Sequence, residues 1–231
     1  MRNIILLVTT ILLSSRLSLY GQQFADAPKT HPDITSWDNL FEPDLSNSLF
    51  PDGVWTMENG VFTASKDEAL WTSRIYDNFI LDLEFKTADG TNSGVIVYAT
   101  DLKEWIPNSV EIQIADDFAE RWANSPRSWQ CGAIFGHLPA KKSLVKKPGE
   151  WNRMTVYCQD KAISVILNGE LITQMDMSLW TSATKNPDRS EIPEWLSTPF
   201  SELSTYGHIG FQGKHAGAPI YFRNMKIKVI D

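Results

Sequence analysis

Residues 79–86 read FILDLEFK, and from Leu81 onward this stretch alternates strictly between apolar and charged side chains. Successive side chains of an extended strand point to opposite faces of a sheet, so a period of two places the two classes on different faces. One face would carry Leu81, Leu83 and Phe85, and the other Asp82, Glu84 and Lys86. The pattern predicts a β-strand buried on one side only, which is typical of an antiparallel sheet.

The same alternation recurs further along the chain, in VEIQI (110–114) and in MKIKV (225–229). Asn-Gly or Asp-Gly pairs supply turn chemistry between these runs at 59–60, 89–90 and 168–169, and Asn-Gly between two apolar runs is a strong hairpin signal. Long amphipathic helical runs are missing from the sequence. We therefore predict an all-β fold, a concanavalin-like jelly-roll sandwich of two antiparallel sheets.

The N-terminus has the order of a secretory signal peptide: Arg2, an apolar run over 4–13, then small and polar residues to Gly21. The apolar run is about half of the ~20 residues that a membrane helix needs. We expect an exported chain, periplasmic or secreted, with no membrane span in its mature form. The expected organisation is a signal peptide over 1–21, a polar leader over 22–36 and a single β-sandwich domain over 37–231.

Charge and composition limit the classes of binding partner that the chain is expected to have. The chain has 21 basic and 28 acidic residues, and removal of Arg2 and Arg16 leaves 19 against 28, a net charge of about −9. Nucleic acid is therefore not an expected partner. Nine tryptophans are compatible with stacking on sugar rings and equally with ordinary packing.

Cys131 and Cys158 both lie in apolar runs, which favours buried thiols over a disulfide. The sequence leaves the oligomeric state open.

The most informative polar residues lie on the predicted strand VEIQIADD (110–117). Glu111 and Gln113 point away from its apolar face, so that face is either solvated or lines a cleft. Asp116 follows directly, and Asn92 and Ser93 open another strand. Clustered short polar side chains suit a ligand rich in hydroxyl groups, which favours the cleft.

Histidines supply further candidates for proton transfer. His137 follows an apolar strand, and His215 lies in the glycine-rich stretch GFQGKHAGAP (210–219). His31 lies in the leader and His208 precedes a strand, so both are weaker candidates. The sequence has no G-x-S-x-G, H-E-x-x-H, phosphate-loop or C-x-x-C motif, which leaves serine-hydrolase, zincin and nucleotide chemistry without support.

Several strings, in order, resemble the 3-keto-disaccharide hydrolase family over about residues 37–230. They are NSGVIVY (92–98), VEIQIADD (110–117), KKPGEWNRMTVYC (146–158), ISVILNGELI (163–172), KNPD (185–188) and YGHIGFQGKHAGAPIYFRNMKIK (206–228). This chain departs from the family pattern in its longer FQGKHAG string and at Cys131, where relatives often carry threonine. The first departure bears on the role of His215.

The resemblance implies a concanavalin-like enzyme that cleaves 3-keto-glycosides, with an oligosaccharide or glycoside as substrate. It makes Glu111 the first candidate for a base or metal ligand, and His137 and His215 candidates for proton transfer or metal ligation. The remaining residues that it implies at the sugar site are Trp71, Arg74, Asn92, Ser93, Gln113, Asp116, Lys142 and Gln212. No cofactor is required by the sequence, and a divalent metal remains compatible with it.

Two alternatives stay open at this point. The first is a non-catalytic carbohydrate-binding module, because the same sandwich serves lectins and a fold does not establish a function. The second is a glycoside hydrolase with two carboxyl groups, in which Glu111 would be paired with Asp116. The sequence does not give the distance between those two carboxyl groups.

Overall fold

A computed structural model describes residues 24–230, and in this part of the chain nearly all regular structure is β. The strands are β1 (Asp38–Asn39), β2 (Ser48–Leu49), β3 (Trp55–Glu58), β4 (Val61–Ala64), β5 (Leu70–Tyr76), β6 (Phe79–Thr87), β7 (Asn92–Ala99), β8 (Val110–Ala115), β9 (Trp151–Gln159), β10 (Ala162–Leu167), β11 (Glu170–Asp176), β12 (Gly207–Phe211) and β13 (Ile220–Val229). A single α-helical turn, α1 (Glu120–Ala123), and 3₁₀ turns at Ile106–Asn108, Arg127–Trp129 and Met177–Leu179 complete the described elements.

The strands form two sheets, and every pair within them is antiparallel. The eight-stranded sheet has the order β11-β10-β9-β6-β13-β4-β3, with β1 paired to β13. The five-stranded sheet has the order β2-β5-β12-β7-β8. The prediction of an all-β fold with two antiparallel sheets is confirmed.

Strand β6 shows why the alternating sequence folds in this way. Leu81, Leu83 and Phe85 are fully buried between the sheets, while Asp82 and Glu84 point to the outer face. The Asn-Gly pairs at 59–60 and 168–169 adopt positive φ at both positions, as a two-residue hairpin turn requires. They connect β3 to β4 and β10 to β11, as the sequence predicted.

The apolar faces of the two sheets meet in one core. Phe211 of β12 and Phe222 of β13 are fully buried, and their rings pack edge to face across it at 5.1 Å. Cys131 and Cys158 are buried in the same core and are unpaired. Burial raises the pKa of both thiols, so they act here as small core residues.

The leader packs on the outer face of the eight-stranded sheet. Phe24 and Ala27 are buried against Tyr157 and Ala162. His31 Nδ1 lies 2.8 Å from a threonine hydroxyl of β9, and its Nε2 accepts the backbone N–H of the turn before β11. The predicted signal peptide, residues 1–21, lies outside the described residues. None of the helices within 24–230 has the length and apolar character needed to cross a membrane.

Candidate active site

A cavity of about 360 Å³ opens on the face of the five-stranded sheet that points away from the core. Strands β7 and β8 form its floor, and the walls come from the connections around them. Its lining residues are Asn92, Trp105, Ile106, Glu111, Gln113, Arg121, Trp122, Trp129, Phe135, Trp195, Gln212 and His215.

The polar floor follows from the period of two along β7 and β8. The apolar residues of β8 enter the core, so Glu111 and Gln113 lie on the opposite face. Asn92 of β7 lies on the same face, and Gln113 Nε2 donates a 2.7 Å hydrogen bond to Asn92 Oδ1. This bond fixes the orientation of both amide groups beneath the cavity.

Gly94 makes the space in which the Glu111 carboxyl group lies. In the β7–β8 ladder Glu111 is opposite Ile96, and Gly94 is the next β7 residue on the same face. A Cβ atom on Gly94 would lie 2.2 Å from Glu111 Oε1 and 2.8 Å from Glu111 Cδ. The side chain therefore extends along the sheet across the bare backbone of Gly94, and a larger residue there would displace it.

Glu111 is held in an environment that disfavours its charge. Its carboxyl group has no hydrogen-bond or ion-pair partner among the residues that the structure describes. Burial, and to a smaller extent the negative charge of Asp67, raise its pKa to about 8. A carboxyl group with a raised pKa that lies in a cleft is a candidate for proton transfer.

The segment that follows β12 forms a polar wall. The backbone N–H of Gln212 donates to the carbonyl of Gly94 at 2.9 Å, and the backbone of His215 bridges to that of Asn92. His215 Nδ1 lies 2.6 Å from Asp67 Oδ2. Because Nδ1–H is donated to this carboxylate, Nε2 is the ring atom left to exchange a proton with a ligand.

The opposite wall is aromatic and is attached to the free edge of β8. Backbone bonds join residues 132–135 to β8, among them a 2.9 Å bond from Phe135 N–H to the carbonyl of Glu111. The Phe135 ring lies 5.4 Å from that of Trp129, which in turn lies 6.1 Å from that of Trp195. We call these three residues the aromatic wall.

Further residues close the two ends of the cavity. Trp105 and Ile106 lie in the connection from β7 to β8. At the other end, the buried Trp122 of α1 donates its indole N–H to the carbonyl of Gly90 at 2.9 Å. The guanidinium of Arg121 lies over the Trp122 ring at 4.4 Å and brings a positive charge to the cavity.

Five of the residues predicted from the sequence line this cavity together: Asn92, Glu111, Gln113, Gln212 and His215. They come from three adjacent strands or their continuations, so the five-stranded sheet is what unites them.

Three predicted residues from strands lie elsewhere. Ser93 is on the core side of β7, where its hydroxyl donates to the carbonyl of Gln212 at 2.7 Å. Trp71 is buried behind Trp105, with its ring across Gly210, so it supports the cavity and does not line it. Arg74 lies further along β5, where its guanidinium covers the ring of Tyr76 at 5.0 Å.

Three predicted residues from loops also lie outside the cavity. Asp116 accepts backbone N–H groups of Gly90 and Phe118 with its two oxygens, which makes it a turn cap. Lys142 is exposed and ion-paired with Glu170.

His137, predicted as a proton-transfer residue, is the third predicted loop residue that lies outside the cavity. It is buried away from the cavity lining, stacked on Phe200 at 3.8 Å, with Nδ1 bonded to the carbonyl of Phe135 at 2.7 Å. Burial lowers its pKa to about 4. These contacts make it a packing residue.

The sequence reasoning did not single out the aromatic wall, Trp105, Arg121 or Asp67. Most of these residues lie in connections, where no strand period indicates a direction. The number of tryptophans and the length of the connections 116–129 and 176–206 were the available signals. Within residues 24–230, no three His, Cys, Asp or Glu side chains are grouped as a metal site would require.

Comparison with known proteins gives evidence that is independent of this geometry. The family model described as 3-keto-alpha-glucoside-1,2-lyase-like domain matches residues 32–228. A 3-keto-disaccharide hydrolase of Bacteroides thetaiotaomicron is 25% identical over 175 residues, which are 68% of this chain and 60% of that protein. The chain thus spans less than two thirds of the length of this relative.

Solved structures show the same sandwich. A proposed glycosyl hydrolase from Parabacteroides distasonis has a TM-score of 0.83 and 56% identity, over 85% of this chain and 100% of its own. A Bacillus subtilis protein of unknown function with a galectin-like fold has a TM-score of 0.53 at 12% identity, over 87% of this chain and 97% of its own. The second likeness concerns the fold alone, and it confirms the predicted concanavalin-like architecture.

Proposed function

The chain belongs to the 3-keto-alpha-glucoside-1,2-lyase-like domain family, as its sequence motifs predicted, and we propose that it is an enzyme that cleaves 3-keto-glycosides in the cavity above β7 and β8. The observation that carries the proposal is the Glu111 carboxyl group, which lies without a partner on a cavity floor of amide groups. The family membership and the printed activity of the Bacteroides relative support the substrate class.

The chemistry of the substrate explains why such a carboxyl group is useful. A ketone at C3 of a sugar acidifies the hydrogen on C2, because the carbanion that forms is an enolate. A base that removes this hydrogen allows the glycosidic oxygen to leave from C1, with formation of a C1–C2 double bond. Addition of water across that bond gives net hydrolysis. The reaction needs a base, a proton for the leaving oxygen and hydrogen-bond donors at the enolate oxygen.

The residues of the cavity can meet these needs. Glu111 in its ionised form takes the C2 proton, and its raised pKa makes it a stronger base than an ordinary carboxylate. His215, oriented by Asp67 through its Nδ1–H, donates a proton from Nε2 to the leaving oxygen when its ring is protonated. Arg121 and the amides of Asn92 and Gln212 are donors that can stabilise the enolate oxygen.

Substitution of Glu111 tests the proposal. The purified protein should release the leaving group from a 3-keto-disaccharide, and Glu111→Gln should slow this release by about 10³-fold, the range expected for loss of a general base. Glu58→Gln is the matched control, since Glu58 is exposed on the eight-stranded sheet, and it should turn over at the wild-type rate.

Two outcomes would overturn the proposal. Wild-type protein that is inert on 3-keto-glycosides but binds unmodified oligosaccharides would be a carbohydrate-binding module. Activity on unoxidised glycosides would indicate a hydrolase with two carboxyl groups. That alternative loses its expected partner here, because Asp116 lies outside the cavity with both oxygens bonded to backbone N–H groups.

We also propose that the chain is exported, which rests on the sequence of residues 1–21 alone. N-terminal sequencing of protein recovered from the periplasm or the medium of an expressing bacterium should show a chain that begins near residue 22. Full-length protein retained in the cytoplasm would contradict export.

A further inference from the structure

A second cavity, of about 450 Å³, lies beside the residues at which β12 begins. Its lining residues are Ile75, Tyr76, Asp77, Asn78, Asp160, Thr205 and Tyr206, and we call it the distal cavity. None of these residues lines the cavity that contains Glu111, which we call the first cavity. The proposed reaction therefore gives the distal cavity no role.

The distal cavity shares a face of the five-stranded sheet with the first cavity. Ile75 is paired with His208 in the β5–β12 ladder. Trp71 is paired with Gly210, which lies on the same face of β12 as His208 and about 7 Å further along the strand. The Trp71 ring packs against Trp105, which lines the first cavity. A molecule bound in the distal cavity is thus held near the proposed reaction site.

Hydrogen bonds hold together the three connections that form the distal cavity. The backbone N–H of Asp160 donates to Asn78 Oδ1 at 2.8 Å, and the Tyr98 hydroxyl donates to the carbonyl of Asp160 at 3.2 Å. The ammonium group of Lys161 donates to the carbonyl of the buried Leu203. The β5–β6 turn, the β9–β10 turn and the segment before β12 are therefore fixed relative to one another, and the cavity is formed without a ligand.

The lining offers apolar surface and hydrogen-bond acceptors side by side. Tyr206 and Ile75 are 54% and 52% exposed, which leaves an aromatic ring and an aliphatic side chain available for contact. The Asp160 carboxyl group has no hydrogen bond or ion pair within residues 24–230, and Asp77 uses one oxygen to accept the backbone N–H of Asn78. Because an ionised carboxylate only accepts hydrogen bonds, a molecule that fits the distal cavity must supply donors.

The charges around the distal cavity disfavour an anionic ligand. Its described lining residues include two carboxylates and no lysine or arginine. Lys161 is directed to a backbone carbonyl, and Arg74 covers the Tyr76 ring while it lines a separate groove. A neutral sugar matches the lining, because its C–H face packs on an aromatic ring and its hydroxyl groups donate to carboxylates.

We infer that the distal cavity is a second carbohydrate-binding site, which holds a neutral oligosaccharide and takes no part in bond cleavage. Tyr206 supplies the stacking surface, and Asp77 and Asp160 accept hydrogen bonds from sugar hydroxyl groups. The inference goes beyond the proposed function, because this site needs neither a ketone on the sugar nor Glu111. Its role is to keep the protein on a glycan while the first cavity acts on a keto-sugar.

Calorimetry with cellotetraose and maltotetraose tests the site. The wild-type protein should bind at least one of these neutral tetrasaccharides, and Tyr206→Ala should weaken that binding by about tenfold because the ring face is lost. Tyr206→Phe should retain most of the affinity, since it keeps a ring. Phe118→Ala is the matched control: Phe118 is 55% exposed and lines neither cavity, so the affinity should not change.

A variant of the first cavity shows where the tetrasaccharide binds. Trp195→Ala alters the lining of the first cavity and should leave the affinity unchanged. Affinity that falls in Trp195→Ala and not in Tyr206→Ala would assign the tetrasaccharide to the first cavity and overturn the inference. Absence of binding by both tetrasaccharides would also overturn it, including the case in which CaCl₂ alone binds and the carboxylates hold only a cation.

Turnover of a methyl 3-keto-glucoside separates this inference from the proposed function. Tyr206→Ala should keep kcat/KM for this small substrate within about twofold of wild type, because the distal cavity does not contact the reacting atoms. A larger loss would overturn the separation of the two sites. A wild-type protein that is inert on this substrate would overturn the proposed reaction, and calorimetry would still decide the distal cavity.

Discussion

Asp82 and Glu111 are two carboxylates that stand on strands of opposite sheets, and burial raises the pKa of each. Asp82, on β6, is 1% exposed and fully engaged: Arg153 Nε donates to it at 2.9 Å, and the Thr155 hydroxyl donates at 2.5 Å. Glu111, on β8, has neither an ion pair nor a hydrogen bond among the described residues. On the proposed function, the engaged Asp82 is the structural carboxyl group and the unpartnered Glu111 is the reacting one.

The partners of Asp82 also explain what it does. The Thr155 hydroxyl that donates to Asp82 lies 2.8 Å from His31 Nδ1, and Arg153 donates to the carbonyl of Pro32 at 2.8 Å. Asp82 therefore organises the contact between the leader and the eight-stranded sheet. Burial and the charge of Arg153 lower the pKa of His31 to about 4, which keeps its ring neutral in this contact.

Removal of the Asp82 charge should have the largest effect on stability. Asp82→Asn leaves the guanidinium of Arg153, which is 33% exposed, without its carboxylate. We expect the free energy of unfolding to fall by about 2–3 kcal/mol, less than for a completely buried pair because Arg153 reaches water. Denaturant titration measures the loss. Turnover per folded molecule should not change, and a variant that is stable but inactive would break the distinction between the two carboxyl groups.

Addition of a methyl group beside Glu111 should have the second-largest effect, a loss of kcat/KM. Gly94→Ala places a Cβ atom where Glu111 Oε1 lies, so the carboxyl group must move. We expect a 10- to 100-fold loss of kcat/KM, about 1.4–2.8 kcal/mol, in a protein that remains folded.

Gly210→Ala is the matched control for this variant, because its methyl would contact the Trp71 ring on the same face of the sheet and not Glu111. The control should cost stability more than turnover. A folded Gly94→Ala variant with wild-type turnover would contradict the position given to the carboxyl group.

Substitution of Glu111 should have the smallest effect, a pH-dependent change in the free energy of unfolding. Its folded pKa of about 8 exceeds the ordinary 4.5, so between these pH values the unfolded chain has lost a proton that the folded chain keeps. Stability therefore falls as the pH rises through this window. Glu111→Gln has no proton to lose and should therefore be more stable than wild type by ~1–2 kcal/mol at pH 8. This gain is smaller than the full pKa shift of Glu111 would give, because the side chain is partly exposed to water. Urea unfolding at pH 4 and 8 measures the difference, which should disappear at pH 4.

Much of the fold could be read from the sequence, because strand period and turn chemistry are local. FILDLEFK and VEIQI became β6 and β8 with the predicted inward faces, and the Asn-Gly pairs became hairpin turns. The same period of two placed Glu111 and Gln113 on one face. It could also have separated Asn92 from Ser93, because adjacent residues of a strand point to opposite faces.

The remaining parts of the site depend on contacts between distant residues. Trp195 reaches the cavity because Leu196 and Asn186 attach its loop to Gly136, and nothing near Trp195 in the sequence indicates this. His137 was a reasonable candidate from its position after a strand, but Phe200 covers it in the fold. Connections acquire their direction from tertiary packing, so their side chains were predicted least well.

The pH dependence of kcat/KM on a 3-keto-glycoside tests the central claim most directly, since it reports the pKa of the essential base in the free enzyme. We predict that the rising limb of kcat/KM, which reports the base, has a midpoint of about 8, and that Asp67→Asn moves this midpoint downward, because the charge of Asp67 contributes to the raised pKa of Glu111. A midpoint near 4.5, the ordinary value for a glutamate, would contradict the account.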